Sequence, residues 1–133
     1  MGSDLLQKTF AAAASARENA HAPYSRFKVG AALLLESGEI VAGCNVENSS
    51  FGGTICAERN AVCACVARFG KFRAKALVLV TEPVASPCGL CLQVISEFCA
   101  GSLPIYLSTP AGLGKARTLS EFLPLPFSAE QLK

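Results

Sequence analysis

Two short cysteine blocks constrain this 133-residue chain more than any other feature of its sequence. The first reads Cys56-Ala-Glu58, and the second reads Pro87-Cys88-Gly-Leu-Cys91. Thiolates bind zinc, and a site with three protein ligands leaves a fourth position open to water. A carboxylate beside that water can transfer protons. We therefore interpret Cys56, Cys88 and Cys91 as zinc ligands and Glu58 as the acid and base of a catalytic site.

Both blocks are predicted to lie where a loop leads into a helix, where the positive end of the helix dipole favours thiolates. Side chains two positions apart in a helix do not face each other, so Cys56 and Glu58 can share a site only if Cys56 lies at the first residues of its helix. Arg59 follows one turn after Cys56. We expect it to donate to a ligand sulfur and to offset part of the negative charge of three thiolates.

The other candidate ligands do not fit the same site. Cys63 would lie about 10 Å along the helix from Cys56, too far to share one zinc ion. His21, the single histidine, is predicted in a loop and not as a ligand. The four remaining cysteines are expected to be small buried side chains: Cys44, Cys63, Cys65 and Cys99. A structural zinc site or a redox-active Cys-x-x-Cys pair are the alternatives, but a structural site needs a fourth ligand, and none is obvious.

Hydrophobic periodicity and turn residues predict a single α/β domain over residues 1–133. The predicted order is a helix over 4–20 capped by Ser3, strands over 29–35 and 39–44, a helix from 55 to 69 ended by Gly70, a strand over 74–80, a helix over 88–100 ended by Gly101, strands over 104–108 and 115–119, a helical turn over 120–123 and an extended tail. This order implies a three-layer α/β/α fold, in which a mixed five-stranded sheet carries helices on both faces.

Charge and hydropathy exclude several function classes. The net charge is +2 and the basic residues are scattered, which argues against binding to nucleic acid. No apolar stretch is long enough to span a membrane, so no membrane partner is expected. The sequence begins without the basic stretch and apolar run of a secretion signal, and its seven cysteines are therefore expected to be reduced thiols or metal ligands in a cytoplasmic protein.

Ordered blocks along nearly the whole chain resemble the small, homotetrameric cytidine deaminases of the cytidine/deoxycytidylate deaminase superfamily. The blocks are Pro23–Ala32, Gly43–Asn48, Thr54–Arg59 and Ser86–Gln93, followed by the closing segment Glu121–Phe127. The resemblance implies the cytidine-deaminase-like fold and a homo-oligomer, with which the mean hydropathy of +0.39 agrees. It also implies zinc-dependent hydrolytic deamination of cytidine and 2′-deoxycytidine to the uridines, with release of ammonia, in pyrimidine salvage.

By the same resemblance, one zinc ion per chain activates the water that attacks C4 of the base, and Glu58 shuttles the protons. The implied substrate contacts are Phe27 near the base, Asn45 and Glu47 at the sugar hydroxyls, Ala57, and Phe127 reaching the ligand of a neighbouring subunit. Asn45 and Glu47 alternate with Val46 at the end of a strand, so both side chains can point into one pocket.

Three features of the sequence depart from the family pattern, and three other functions stay open. Leu92 replaces a basic residue, Phe51 replaces a tyrosine, and a Gly52-Gly53 pair loosens the loop before Cys56. A deaminase of the blasticidin S type shares the zinc blocks, although the Asn45-Glu47 pair favours a ribose. A polynucleotide editor is disfavoured because no basic channel is evident. A zinc-stabilised binding module without activity would have no use for Glu58.

Overall fold

Five strands form one mixed sheet between helices on its two faces. The computed structural model describes residues 2–132. The elements in chain order are α1 (Ser3–Glu18), β1 (Gly30–Leu35), β2 (Ile40–Cys44), α2 (Ala57–Phe69), β3 (Ala74–Val80), α3 (Gly89–Phe98), β4 (Pro104–Thr109), β5 (Gly112–Thr118) and α4 (Leu119–Phe122), with short 3₁₀ turns at Phe51–Gly53 and Ala129–Leu132. The predicted three-layer fold with five strands is confirmed.

The sheet order is β2-β1-β3-β4-β5. Strands β3 and β4 run parallel, and α3 lies between them in sequence, as a parallel connection requires. The other three pairings are antiparallel. The carboxyl end of β3 therefore lies beside the start of β1 and the end of β2, and the loops that carry both cysteine blocks leave the sheet at this edge.

Alternation along the central strands fills a core on each face of the sheet. Leu77 and Leu79 of β3 belong to the larger core beneath α2 and α3. Val78 and Val80 point to the opposite face, where they pack against Ala13 of α1. Both faces of β3 are thus buried, as its continuous apolar run predicts.

Gly43 in β2 allows α2 to approach the sheet closely. A Cβ at this position would lie 2.6 Å from the Ala61 backbone nitrogen and 2.8 Å from the Ala57 carbonyl oxygen. Real Cβ atoms do not approach backbone atoms so closely, so glycine at this position sets the depth of α2 on the sheet. Asn60 also donates from Nδ2 to the Cys44 carbonyl at 2.8 Å, which joins the first turn of α2 to the end of β2.

The first helix differs from its prediction at both ends. Ser3 is its first helical residue and Gly2 is the N-cap, with no side-chain capping bond. The predicted capping role of Ser3 is therefore wrong. The helix ends at Glu18 rather than at residue 20, because His21 already pairs with Val46 in a β-bridge and its N–H donates to the Asn45 carbonyl.

The C-terminal third was predicted with its boundaries shifted. α3 ends at Phe98, and Cys99 rather than Gly101 is its C-cap, with extended dihedral angles. β5 covers Gly112–Thr118 instead of 115–119, because a tight turn joins it to β4. Leu119 instead opens α4, where Thr118 and Glu121 form a capping box.

No helix within residues 2–132 is both long enough and apolar enough to cross a lipid bilayer.

Candidate functional site

Cys56 and Cys88 occupy equivalent positions at the starts of two helices. Each is the N-cap residue with an extended backbone, Cys56 for α2 and Cys88 for α3. Helix α2 begins two residues later than predicted from the sequence, and α3 begins one residue later. The Cys88 sulfur accepts a hydrogen bond from the Cys91 N–H at 3.4 Å. Both sulfurs thus lie at the positive ends of helix dipoles, which stabilises thiolate over thiol.

The predicted ligand sulfurs converge on one point. The sulfur atoms of Cys56, Cys88 and Cys91 lie within 4.8 Å of one another, and Cys56 Sγ lies 3.9 Å from Cys88 Sγ. Tetrahedral zinc with Zn–S bonds of about 2.3 Å places neighbouring sulfurs about 3.8 Å apart. Three soft sulfur donors at this spacing fit one zinc ion. This cluster supplies three protein ligands, as a catalytic site does.

Arg59 contacts this sulfur cluster. Its Nη2 donates to Cys56 Sγ at 3.5 Å and to the Thr54 carbonyl at 3.4 Å. These sulfur contacts, to Cys56 first and then to Cys91, raise the pKa of Arg59 above its usual range. Arg59 Nε is buried without a hydrogen-bond partner among the described residues. The expected contact between Arg59 and a sulfur is therefore present in the structure.

Negative charge concentrates on Cys56. A hydrogen bond from Cys91, together with those from Arg59 and Cys88, lowers the pKa of Cys56. The pKa of Cys91 is raised because its thiol donates a hydrogen bond to Cys56 and because the thiol is buried. A metal ion that binds all three sulfurs must therefore displace at least the Cys91 proton, so binding releases protons and depends on pH.

Glu58 is a nearly buried carboxyl group beside the cluster. Only 5% of the residue is exposed, and its side chain lines the cavity together with Cys56 and Cys88. Burial raises the pKa of Glu58 to about 7, and the nearby Cys56 charge adds to this shift. A carboxyl group with a pKa close to neutral pH can both accept and return a proton. Cys56 lies just before α2, and Glu58 is the second residue of that helix. The two side chains can share a site only if Cys56 lies at the very start of the helix, and it does.

A cavity of about 260 Å³ opens at this edge of the sheet. Seven residues that were predicted from the sequence to belong to the site line this cavity: Phe27, Asn45, Glu47, Cys56, Ala57, Glu58 and Cys88. The volume is slightly below the usual range for small-molecule sites, about 300–1,000 Å³. A single small molecule fits this space, and one end of that molecule would meet the sulfur cluster.

Asn45 forms hydrogen bonds with the backbone of the segment that contains Phe27 and Val29. Its Oδ1 accepts from the Val29 N–H at 2.9 Å, and its Nδ2 donates to the Phe27 carbonyl at 2.8 Å. One Nδ2 hydrogen remains for another acceptor. Asn45 therefore fixes one wall of the cavity and also presents a donor.

Glu47 lines the same cavity and accepts hydrogen bonds from a turn near residue 25. Its Oε1 accepts from the Tyr24 N–H at 2.9 Å and from the Ser25 N–H at 3.1 Å, and its Oε2 accepts from the Ser25 hydroxyl. These bonds, above all the Ser25 hydroxyl, lower the pKa of Glu47. Ser25 was not among the functional residues predicted from the sequence. Its place two residues before Phe27 was visible, but its contact with a residue 22 positions later was not.

Phe127 does not line the cavity of its own chain. Phe127 is 57% exposed, and its backbone carbonyl accepts a hydrogen bond from Gln93 Nε2 at 2.7 Å. The predicted contact with a ligand in a neighbouring subunit stays a prediction.

The positions that depart from the family pattern lie in different surroundings. Leu92 is buried in the larger core. An apolar side chain packed in the core thus stands where the family pattern has a basic one. Phe51 is exposed, and its ring lies edge-on to Tyr24 at 5.9 Å between centroids.

The other cysteines lie outside the ligand cluster, as expected. Their predicted burial is wrong for Cys63, which is exposed, whereas Cys65 is fully buried and Cys44 and Cys99 are half-buried. The buried stripe of α2 runs through Ala57, Ala61 and Cys65, and Cys63 falls outside it. His21 is exposed and is not part of the cluster.

Known proteins are similar to this chain in both sequence and fold. The family described as "Cytidine and deoxycytidylate deaminase zinc-binding region" matches residues 3–107. A curated cytidine deaminase of Sporosarcina psychrophila is 48% identical over 128 residues, which cover 96% of this chain and 94% of that protein. The crystal structure of a cytidine deaminase from Burkholderia pseudomallei superposes with a TM-score of 0.81 at 38% identity, covering 96% of this chain and all of that chain.

A protein with a different named substrate is also related. The blasticidin-S deaminase of Bacillus cereus is 29% identical over 114 residues, which cover 78% of this chain and 79% of that protein. The two cytidine deaminases named above are more similar to this chain and cover more of it. With its sulfur cluster, its buried glutamate and these relatives, the chain belongs to the cytidine and deoxycytidylate deaminase zinc-binding family.

Proposed function

We infer that this protein is a cytidine deaminase that hydrolyses cytidine to uridine and ammonia with one zinc ion per chain. The observation that carries this conclusion is the buried carboxyl group of Glu58 beside three converging sulfurs, at the end of a cavity of about 260 Å³. A zinc ion that only stabilised a fold would not need a nearly buried carboxyl group next to its open side. The relatives named above, cytidine deaminases at up to 48% identity, support the same reaction.

Cys56, Cys88 and Cys91 would hold the metal. A zinc ion in this position supplies Lewis acidity, which lowers the pKa of water toward neutrality. Arg59 donates to the Cys56 sulfur and offsets part of the charge of the three thiolates. This role keeps the ligands ionised and the site compact.

Glu58 acts as base and acid in turn. Its carboxylate accepts a proton from the attacking water and delivers it to the ring nitrogen N3, which makes C4 more electrophilic. The water oxygen bonds to C4. Glu58 then takes the remaining proton from that oxygen and gives it to the amino group, so that the C4–N bond breaks, the carbonyl of uridine forms and ammonia leaves. The pKa of about 7 suits both transfers, because neither protonation state is strongly favoured at neutral pH.

The remaining cavity residues orient the nucleoside. We place Phe27 against the base and Ala57 in the wall beside Glu58, since all three residues line the cavity. Asn45 and Glu47 bind the sugar hydroxyls, for which Asn45 offers a hydrogen and Glu47 an acceptor. 2′-Deoxycytidine keeps the 3′-hydroxyl, so we propose it as a second substrate.

The test is the loss of cytidine's ultraviolet absorbance on adding purified protein. We expect turnover by the zinc-loaded protein, loss of turnover after stripping with a chelator, and recovery with added zinc. Protein that carries one zinc ion per chain and does not convert cytidine would contradict the proposed function.

Blasticidin S is the second candidate substrate, favoured by the related deaminase of Bacillus cereus. Competition decides between the two: with both compounds present at equal concentration, we expect cytidine to be consumed first. The reverse order would assign the antibiotic as the substrate.

We further propose that the protein is a homotetramer of the cytoplasm that serves pyrimidine salvage. The exposed tail supports an assembly, since Leu125 is 92% exposed and Phe127 57% exposed. In a tetramer, Phe127 would reach the cavity of a neighbour. Sedimentation equilibrium at micromolar concentration should give four times the chain mass, and a monomer that is fully active would contradict this assignment.

A further inference from the structure

The Glu47 carboxylate is fixed by a turn that lies 22 residues earlier in the sequence. Two backbone N–H groups, of Tyr24 and Ser25, donate to Oε1, while the Ser25 hydroxyl donates to Oε2. The last torsion of a glutamate side chain is ordinarily broad. Here each oxygen has its own donor, so the plane of the carboxylate is confined.

A second partner sets the direction of the Ser25 hydroxyl. The Phe27 N–H donates to Ser25 Oγ at 3.0 Å. A backbone amide can only donate, so the single hydroxyl hydrogen is left for the carboxylate. Arg26, between the two, has a φ of 59°, which is uncommon outside glycine and closes this turn. Ser25 thereby connects Phe27 and Glu47, two residues that line the same cavity.

The number of acceptor positions shows what Glu47 has left for a ligand. An ionised carboxylate offers about four lone-pair positions. The two backbone donors use both positions on Oε1, and Ser25 uses one on Oε2. One acceptor remains, on the oxygen that Ser25 holds in place.

We propose that Ser25 is a positioning residue that orients Glu47 so that its remaining acceptor on Oε2 meets a sugar hydroxyl of the substrate. The inference rests on the proposed function, because it assumes a nucleoside in the cavity. Ser25 acts only through Glu47 and does not touch the reacting atoms. Its removal therefore weakens binding of the sugar and leaves the chemical step unchanged.

The test compares two substrates that differ only in their sugar hydroxyls. For Ser25→Ala we expect KM for cytidine to rise about tenfold, the effect of losing one hydrogen bond to a charged group, with kcat within about twofold of the wild-type value. For 2′,3′-dideoxycytidine, kcat/KM should stay within about twofold. The matched control is Ser15→Ala on the exposed side of α1, which should alter neither substrate's values. An equal loss on both nucleosides would overturn the proposal.

A double-mutant cycle adds a readout that a merely structural role would not move. In a Glu47→Ala background, Ser25→Ala should lower kcat/KM for cytidine by less than about twofold. A full tenfold loss in that background would show that Ser25 acts independently of Glu47 and would overturn the proposal. Wild-type turnover of cytidine is measured in the same series, so a failure of the proposed function appears there and not in the cycle.

Discussion

At the start of α2, three neighbouring residues contribute to one site from different directions. Cys56 precedes the helix, Glu58 lies in its first turn facing the cavity, and Arg59 reaches back to the Cys56 sulfur. Successive helical residues point about 100° apart, so this convergence depends on Cys56 lying just outside the helix. The residue types, and the need for Cys56 to lie at the start of the helix, could be predicted from the sequence. The side-chain contacts could be seen only in the structure.

Replacing Glu58 tests the proton transfer at this site. In Glu58→Gln the volume is kept and the proton carrier is lost, so kcat should fall about a thousandfold while zinc content is unchanged. Absorbance assays and metal analysis of the same sample check both. Glu97→Gln, on the exposed surface of α3, is the matched control and should keep wild-type rates. Comparable activity of the two variants would rule out Glu58 as the proton carrier.

Replacing Arg59 tests whether the charge on the sulfurs needs an offset. Arg59→Gln removes the cation that donates to Cys56 Sγ, and zinc affinity should weaken about 10- to 100-fold. Competition against a chromophoric chelator measures this. Arg68→Gln changes an exposed arginine in the last turn of the same helix and should leave affinity unchanged. Unaltered zinc retention in Arg59→Gln would mean that the contact has no such role.

Burial of Cys65 makes stability depend on alkaline pH. Burial raises the pKa of this thiol from 9.0 to about 11. Its contribution to stability is therefore complete below pH 9 and is lost as the pH rises toward 11, because the unfolded chain ionises first. Urea unfolding should show that Cys65→Ala costs less stability at pH 10.5 than at pH 8. A cost for Cys65→Ala that is the same at the two pH values would contradict the prediction.

At the scale of elements, apolar patterns were sufficient where packing decides the structure and failed where local hydrogen bonds decide it. The continuous apolar run of β3 gave its bounds without error, 74–80. The boundary near Leu119 was missed because Thr118 and Glu121 form a capping box that starts α4. The spacing of Thr118 and Glu121 is a signal that the sequence did carry.

Gly43 illustrates a contact between elements that no pattern indicates. In Gly43→Ala, the new Cβ would collide with the backbone of α2 near Ala61, so the helix must shift or the variant must lose about 1–3 kcal/mol of stability. The same shift would move the Cys56 sulfur, and zinc affinity should fall as well. Gly112→Ala, which meets open space at the start of β5, is the control and should unfold like the wild type in urea. Equal stability of the two variants would show that the sheet and helix have room.

At the scale of the molecule, the sequence indicated the layers but not what covers the outer surface. Leu125, Phe127 and Leu132 are strongly exposed along the tail. Periodicity reports which side of an element is apolar, but not whether a second chain packs there. Phe127 does not line the cavity of its own chain, and its predicted contact with the ligand of a neighbouring subunit stays a prediction.

The sulfur cluster also has a consequence for folding as a whole. Cys56 and Cys88 are 32 positions apart in sequence, so an unfolded chain that bound zinc through both would have to close a loop of that length. Closing such a loop costs about 3 kcal/mol of chain entropy, which corresponds to about a hundredfold in affinity. The folded chain has already closed this loop, so zinc acts as a cross-link that selects the native state.

A chelator should lower the melting temperature of the protein, and added zinc should restore it. A melting temperature that does not change would contradict the role of zinc as a cross-link. Zinc supply would then set how much of this protein is folded as well as how much is active.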